Sequence, residues 1–141
     1  MVPDIFNHEI KVSASVDELE GLIEWIDAIL EAEDCTIKAH SQMAIILEEI
    51  FVNISRYAYP SEGEVFIRVG IEGPRLILQF EDSGKPFNPL AYLSLDTKAR
   101  IEERKIGGMG IYIVRKMVDE ISYARVDDKN LLTLYKTIRA A

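Results

Sequence analysis

Three clusters in this 141-residue chain combine residue types and spacings that could do chemistry. The first is Glu49-Ile50-Phe51-Val52-Asn53. At about 100° per residue, positions four apart on a helix lie only about 40° from each other, so Glu49 and Asn53 would project together along one edge of an apolar stripe. That pair is either a partly solvated helix edge or an oxygen-rich corner for a hard cation such as Mg2+, with the carboxylate free to accept a proton. The second cluster, Glu81-Asp82-Ser83-Gly84, follows the hydrophobic run 76–80. It reads as a plain turn at a strand end. It also reads as a carboxylate that accepts a hydrogen bond from an amino group, with Gly84 letting a flat ring approach the backbone. The third is Gly107-Gly108-Met109-Gly110, which opens a helical stretch. Glycine is a poor helix former, so three in four positions mark a hinge or a place where a ligand comes close. Such a helix start presents unpaired N–H groups and the positive end of the dipole to phosphates.

Other phosphate and metal chemistries fail on spacing. No Gly-x-x-x-x-Gly-Lys-Ser/Thr occurs, and the Gly-x-Gly-x-x-Gly pattern begun by Gly108-Met109-Gly110 breaks at Ile113, after a charged segment instead of a strand. His8 and His40 have no second histidine or cysteine at ligand spacing, so zinc has little support.

With 24 Asp and Glu against 16 Lys and Arg, the formal net charge is -8. That argues against a surface built to grip a nucleic-acid backbone, and no direct nucleic-acid partner is expected. A nucleotide remains compatible, because backbone N–H groups and a few local cations hold it whatever the net charge. Hydrophobic residues make up 48% and charged residues 28% of the chain, a globular balance, so residues 1–141 are expected to form one domain. The single cysteine, Cys35, excludes an internal disulfide and a four-cysteine metal cage. No apolar run approaches the roughly 20 residues that cross a bilayer, and the first twelve residues carry Asp4, His8, Glu9 and Lys11. The expectation is a soluble, cytoplasmic protein without membrane association, in which the sequon Asn53-Ile54-Ser55 has no meaning.

The elements that must position the clusters follow from periodicity. Loose alternation from Ile5 to Val12 predicts a first strand. Ser15 and Glu18 have capping-box spacing, and Leu19, Leu22, Ile23, Ile26, Ile29 and Leu30 recur at helical spacing to about Glu33. A second helix is predicted from about Thr36 to Tyr59, stopped by Pro60 and Gly63. Strands at 64–72 and 75–81 meet at Gly73-Pro74. Residues 90–106 form a long charged connection, a length that is usually functional or mobile. A third helix follows the glycines. Strands near 120–126 and 131–138 come next, joined by a turn at Asp127-Asp128-Lys129-Asn130. This order predicts an α+β fold, a two-layer sandwich with a mixed, mostly antiparallel sheet and helices on one face.

The order and separation of the three clusters are together far more specific than any one of them. On these residues the chain resembles the Bergerat-fold (GHKL, HATPase_c) ATP-binding superfamily of DNA gyrase, the Hsp90 chaperones, histidine kinases and MutL. Glu49-x-x-x-Asn53 looks like its N box, Asp82-x-Gly84 its first glycine box and Gly107-Gly108-Met109-Gly110 its second. Thr133, in Leu131-Leu132-Thr133-Leu134, matches the threonine used near adenine. Within the superfamily the chain is similar over nearly its whole length to the small anti-sigma-factor serine/threonine kinases of the RsbW/SpoIIAB type. A length of 141 favours this branch, since histidine kinases need a phosphoacceptor helical pair and gyrase-like members need added domains. One departure is Tyr57, where family members often have histidine.

The resemblance implies a site. ATP would be held by Asn53, Asp82, Gly84, Gly107, Gly108, Met109, Gly110 and Thr133, with adenine beside Asp82 and Thr133 and with Mg2+ on Asn53. Glu49 would be the catalytic base. Residues 90–106 would form a lid, with Lys98, Arg100, Arg104 and Lys105 as candidates to reach phosphate. The acceptor would be a serine on a STAS-domain anti-anti-sigma protein, which competes with a sigma factor in a partner-switching system, and a homodimer is expected. The alternative is an ATP-binding regulatory module without phosphotransfer. A third reading is a general interaction domain whose glycines are only hinges.

Overall fold

The computed structural model describes residues 5–58, 63–94 and 108–140. Alternation at period two builds the sheet. In β2 (Glu64–Glu72) Val65, Ile67 and Val69 point to one face, and in β3 (Arg75–Asp82) Leu76, Leu78 and Phe80 do the same; all are buried. With β1 (His8–Ser13), β4 (Glu120–Val126) and β5 (Lys129–Thr137) they form a five-stranded sheet in the order β1-β2-β3-β5-β4. Every pairing is antiparallel, so the sheet is not mixed. The two hairpins explain much of this, because a two-residue turn can join only antiparallel strands. At the β4–β5 turn Asp127 and Asp128 have φ of 51° and 63°, the pair of positive values that a type I′ hairpin requires. The turn is therefore two residues, not four, and Lys129 and Asn130 belong to β5.

Three helices cover one face: α1 (Leu19–Ala32), α2 (Ile37–Asn53) and α3 (Gly108–Met117). Their 3.6-residue periodicity delivers Leu22, Ile26 and Leu30 from α1, Met43, Ile46, Leu47, Ile50 and Phe51 from α2, and Ile111 and Val114 from α3 into one core against the sheet. Thr36 caps α2, its Oγ1 accepting from the Ala39 N–H at 3.1 Å. The box at Ser15 is not reciprocal. The Ser15 N–H is already taken by the Ser13 carbonyl at 2.8 Å, and the Glu18 carboxylate accepts from the Ser13 hydroxyl instead. A 3-10 turn, Val16–Glu18, then leads into α1. Regular α-helical bonding in α2 ends at Asn53 and gives way to a π turn, Ile54–Ala58, a wide turn that re-aims the backbone directly after the candidate Mg2+ ligand.

The other face of the sheet carries a polar network beside Phe66 and the buried Ile77. Buried Arg68 donates to Glu9 at 2.6 Å, Gln79 at 3.1 Å and Glu81 at 3.0 Å, and Lys129 reaches Glu81 at 3.4 Å. Half-exposed Glu9 adds little, being screened by water. Glu81, with its side chain only 15% exposed, depends more on the guanidinium. Arg68→Met is expected to lower stability by about 1–3 kcal/mol, since it strips a carboxylate of its bidentate-capable partner. Denaturant unfolding measures this, and a loss below about 0.5 kcal/mol would mean that the network is effectively solvated.

Candidate functional site

The end of α2, the end of β3, the start of β5 and the segment after β3 converge on a cleft lined by Asn53, Asp82, Phe87, Ile111, Tyr123 and Asn130, with apolar walls from Ile50, Phe80 and Leu132. The space it encloses is about 10 Å³, room for little more than one water. A flat ring needs more space than the cleft encloses in this conformation.

Asp82 is 3% exposed. Its Oδ1 accepts from the Gly84 N–H at 2.9 Å and from Asn130 Nδ2 at 2.9 Å. Both bonds end on Oδ1, which leaves Oδ2 as the acceptor for a group in the cleft. Burial pushes the Asp82 carboxyl pKa above its ordinary value, while the bonds from Asn130 and Gly84 and the charge of Arg125 pull it back. Arg125 itself donates to the Gly84 carbonyl at 2.8 Å. Asn130 stands opposite Asp82 in the β3–β5 register. Its amide also donates to the Lys85 carbonyl at 2.9 Å, and its Oδ1 accepts from the Phe87 N–H at 3.2 Å and from the Tyr123 hydroxyl. All four hydrogen-bonding capacities of the amide are in use, so it pins the segment after β3 to the sheet. Sequence reasoning placed Asn130 in a turn. The Asp-Asp pair is compatible with a two-residue type I′ turn, which puts Asn130 in register with Asp82, but it does not by itself set the length of the turn.

Thr133 does not join this cleft. Odd positions of β5 face away from the helices, so Asn130, Leu132 and Leu134 are buried on the helix side while Thr133 lies on the polar face. There it accepts from Gln79 Nε2 at 3.1 Å. The period-two alternation of the strand, counted from Asn130, decides this against the adenine role that the resemblance implied.

Glu49 and Asn53 do lie one helical turn apart at the inner edge of α2, with Asn53 5% exposed and Glu49 half-buried. A Cβ placed on Gly110 would collide with Glu49 Oε2. The carboxylate thus rests against the first turn of α3, near the positive end of that helix. Burial is the main cause that raises the Glu49 pKa, Glu48 adds to it, and Arg56 opposes it. Gly108 and Met109 open α3. Gly107, Lys98, Arg100, Arg104, Lys105 and most of 90–106 lie outside the described residues; 89–94 form a 3-10 turn. The backbone of Tyr57 is part of the π turn.

Residues 12–136 match the histidine kinase-like ATPase domain. The chain belongs to that family. It is 21% identical over 127 residues, 89% of each chain, to the serine/threonine-protein kinase BtrW of Bordetella bronchiseptica. Among solved structures it resembles the histidine kinase AdeS of Acinetobacter baumannii, with a TM-score of 0.50 and 14% identity, over 93% of this chain and 68% of that one. This second likeness bears on the fold alone: an α+β sandwich with a kinase-like ATPase topology.

A histidine kinase-like ATPase domain implies ATP binding. Among the described residues no group of three or more His, Cys, Asp or Glu side chains could cage a metal. At the cleft Asn53 offers one neutral amide oxygen, a hard donor of the class that Mg2+ accepts beside phosphate oxygens and waters. The Glu49–Gly110 contact in this ATPase domain can be tested without nucleotide. Gly110→Ala is expected to leave stability within about 1 kcal/mol, because only the end of a flexible side chain must move and alanine favours the helix. It should also swing Glu49 outward and bring its titration, followed by carboxyl NMR, down toward the ordinary glutamate range. An unchanged Glu49 titration would show that the contact does not hold the carboxylate. Among the described residues no helix is long and apolar enough to cross a membrane.

Proposed function

We propose that this chain is a Mg-ATP-dependent serine/threonine protein kinase that phosphorylates a serine of a STAS-domain anti-anti-sigma protein. In the same reading it is an anti-sigma factor, alternating between that protein and a sigma factor in a partner-switching system, and it works as a cytoplasmic homodimer. The observation that carries the kinase activity is the Glu49 carboxylate, held with a raised pKa against the first turn of α3 and one helical turn from Asn53. A domain that only binds nucleotide has less need of a poised base. The similarity to a serine/threonine-protein kinase supports the same reading.

In this proposal Asp82 Oδ2 accepts from the adenine amino group, and Gly84, tied down by Asp82 and Arg125, forms the wall beside the ring. The N–H groups opening α3 at Gly108 and Gly110 receive the phosphates. Asn53 would hold Mg2+, which would supply charge neutralisation to the phosphates. Glu49 takes the proton from the attacking serine hydroxyl, so that the new O–P bond forms as the bond to the leaving diphosphate breaks. The remaining task is positioning, which accounts for most of phosphoryl-transfer catalysis.

The experiment is incubation with γ-labelled ATP and a STAS-domain protein that carries the acceptor serine, followed by phosphoserine mapping. Label on one STAS serine is the expected result. Binding of Mg-ATP without transfer would replace the kinase with a nucleotide-controlled binding module. No binding at millimolar ATP would overturn both.

A further inference from the structure

The far end of the sheet holds a second cleft. Lys136 pairs with Leu76 where Asn130 pairs with Asp82, and six residues at about 3.3 Å each separate the two ends by about 20 Å. This cleft, of about 270 Å³, lies between the start of α2, the end of α3 and the end of β5, lined by Thr36, Lys38, Gln42, Lys116, Lys136 and Thr137. In a chain of net charge -8, three of those six side chains are lysines.

Lys136 sits at the base, 6% exposed. Its Nζ donates to Gln42 Oε1 at 2.6 Å and to the Met117 carbonyl at 2.8 Å. An ammonium carries three N–H donors, so one remains for the cleft. Gln42, with its oxygen engaged, still has its amide hydrogens to give. Asp119, the carboxylate that faces Lys136, is bound by the Thr137 hydroxyl at 2.7 Å. Burial lowers the Lys136 pKa and the nearby charge of Lys38 lowers it further, against Asp119 and Cys35. Two like charges converge on one space, a repulsion that an anion between them removes. The N-terminus of the 17-residue helix α2, opening at Ile37 beside Lys38, adds its positive dipole end. Lys116, stacked 5.3 Å from the Tyr112 ring, stands at the rim.

We propose that this cleft is a binding site for a multiply charged oxyanion of the phosphate class, separate from the nucleotide site. Lys136 and Gln42 donate from the base, and Lys38 and Lys116 close over the anion from the rim. Helix α3 lies between the two sites, with its glycine start at the nucleotide and its last residue, Met117, at the anion.

The test is titration of the full chain with inorganic phosphate and with pyrophosphate at constant ionic strength, read by backbone amide NMR shifts, with chloride as control. Saturable shifts are expected at 37–42, 116–117 and 136–138, with affinity in the range of about 1–10 mM for phosphate and tighter for pyrophosphate. The surface variant Lys38→Ala/Lys116→Ala should keep the fold and lose about tenfold or more in affinity. Lys136→Met should abolish saturation. Shifts confined to 82–87 and 108–112, equal binding by the double variant, or the same shifts with chloride would each overturn the site. Because the readout is local, nucleotide binding at the other end of α3 succeeds or fails on separate residues.

Discussion

Glu49→Gln should lower phosphotransfer about 100- to 10,000-fold while leaving ATP affinity within a few-fold of the parent. The amide keeps the size and place of the side chain against Gly110 but cannot take a proton. Steady-state transfer to the STAS acceptor gives the rate, and calorimetric titration gives the affinity. Equal rates would remove Glu49 as the base; a large loss of affinity would make it a binding group. The pH dependence has a definite sign. Burial and Glu48 raise the native pKa of Glu49 above its ordinary value of about 4.3. Transfer should therefore rise with pH through a midpoint above that value, and the acid limb should vanish in Glu49→Gln. For stability the sign is opposite. A carboxyl whose native pKa is raised contributes most below its unfolded pKa, and that contribution is lost as pH rises through the native one.

The second large effect is at Asp82. Asp82→Asn is expected to weaken ATP binding about 30- to 100-fold, the scale of one charge-assisted hydrogen bond lost and a donor clash gained. The argument is geometric. Gly84 N–H and Asn130 Nδ2 both need an acceptor where Oδ1 now stands, so the substituted amide must place its oxygen there. Its NH2 then occupies the Oδ2 position and meets the adenine amino group donor to donor. Folding should be little changed, since the buried charge that burial disfavours is gone and both internal bonds survive. Calorimetry and thermal unfolding of the same variant separate the two effects. Unchanged ATP affinity would take Asp82 out of the adenine pocket. Unfolding of the variant without ligand would assign it to structure.

The elements carrying the site were legible because each motif is continuous in the chain. Glu49 and Asn53 are joined by one helical turn, Asp82 and Gly84 by a turn at a strand end, and Gly108 and Gly110 by the start of a helix. Local geometry alone brings each pair together. The exceptions are residues whose place depends on register. Whether Thr133 or Asn130 faces the cleft turns on where β5 begins, and a one-residue slip exchanges the two faces of the sheet. Two positive-φ aspartates settle that start, and their identity alone does not reveal how many residues the turn holds. The reciprocal box at Ser15 failed for a local reason, because the Ser13 carbonyl two residues back occupies its N–H and the Glu18 carboxylate accepts from the Ser13 hydroxyl.

By itself the sequence determined the fold class, the family-defining pairs and the acidic net charge, since composition, periodicity and short spacings encode these directly. Only the tertiary structure decided what meets across the chain. It set Asn130 against Asp82 from 48 residues away, Glu49 against Gly110, and Lys136 with Gln42 from 94 residues away. These contacts follow from strand register and helix packing, in which every residue of the core takes part and no short stretch holds the information.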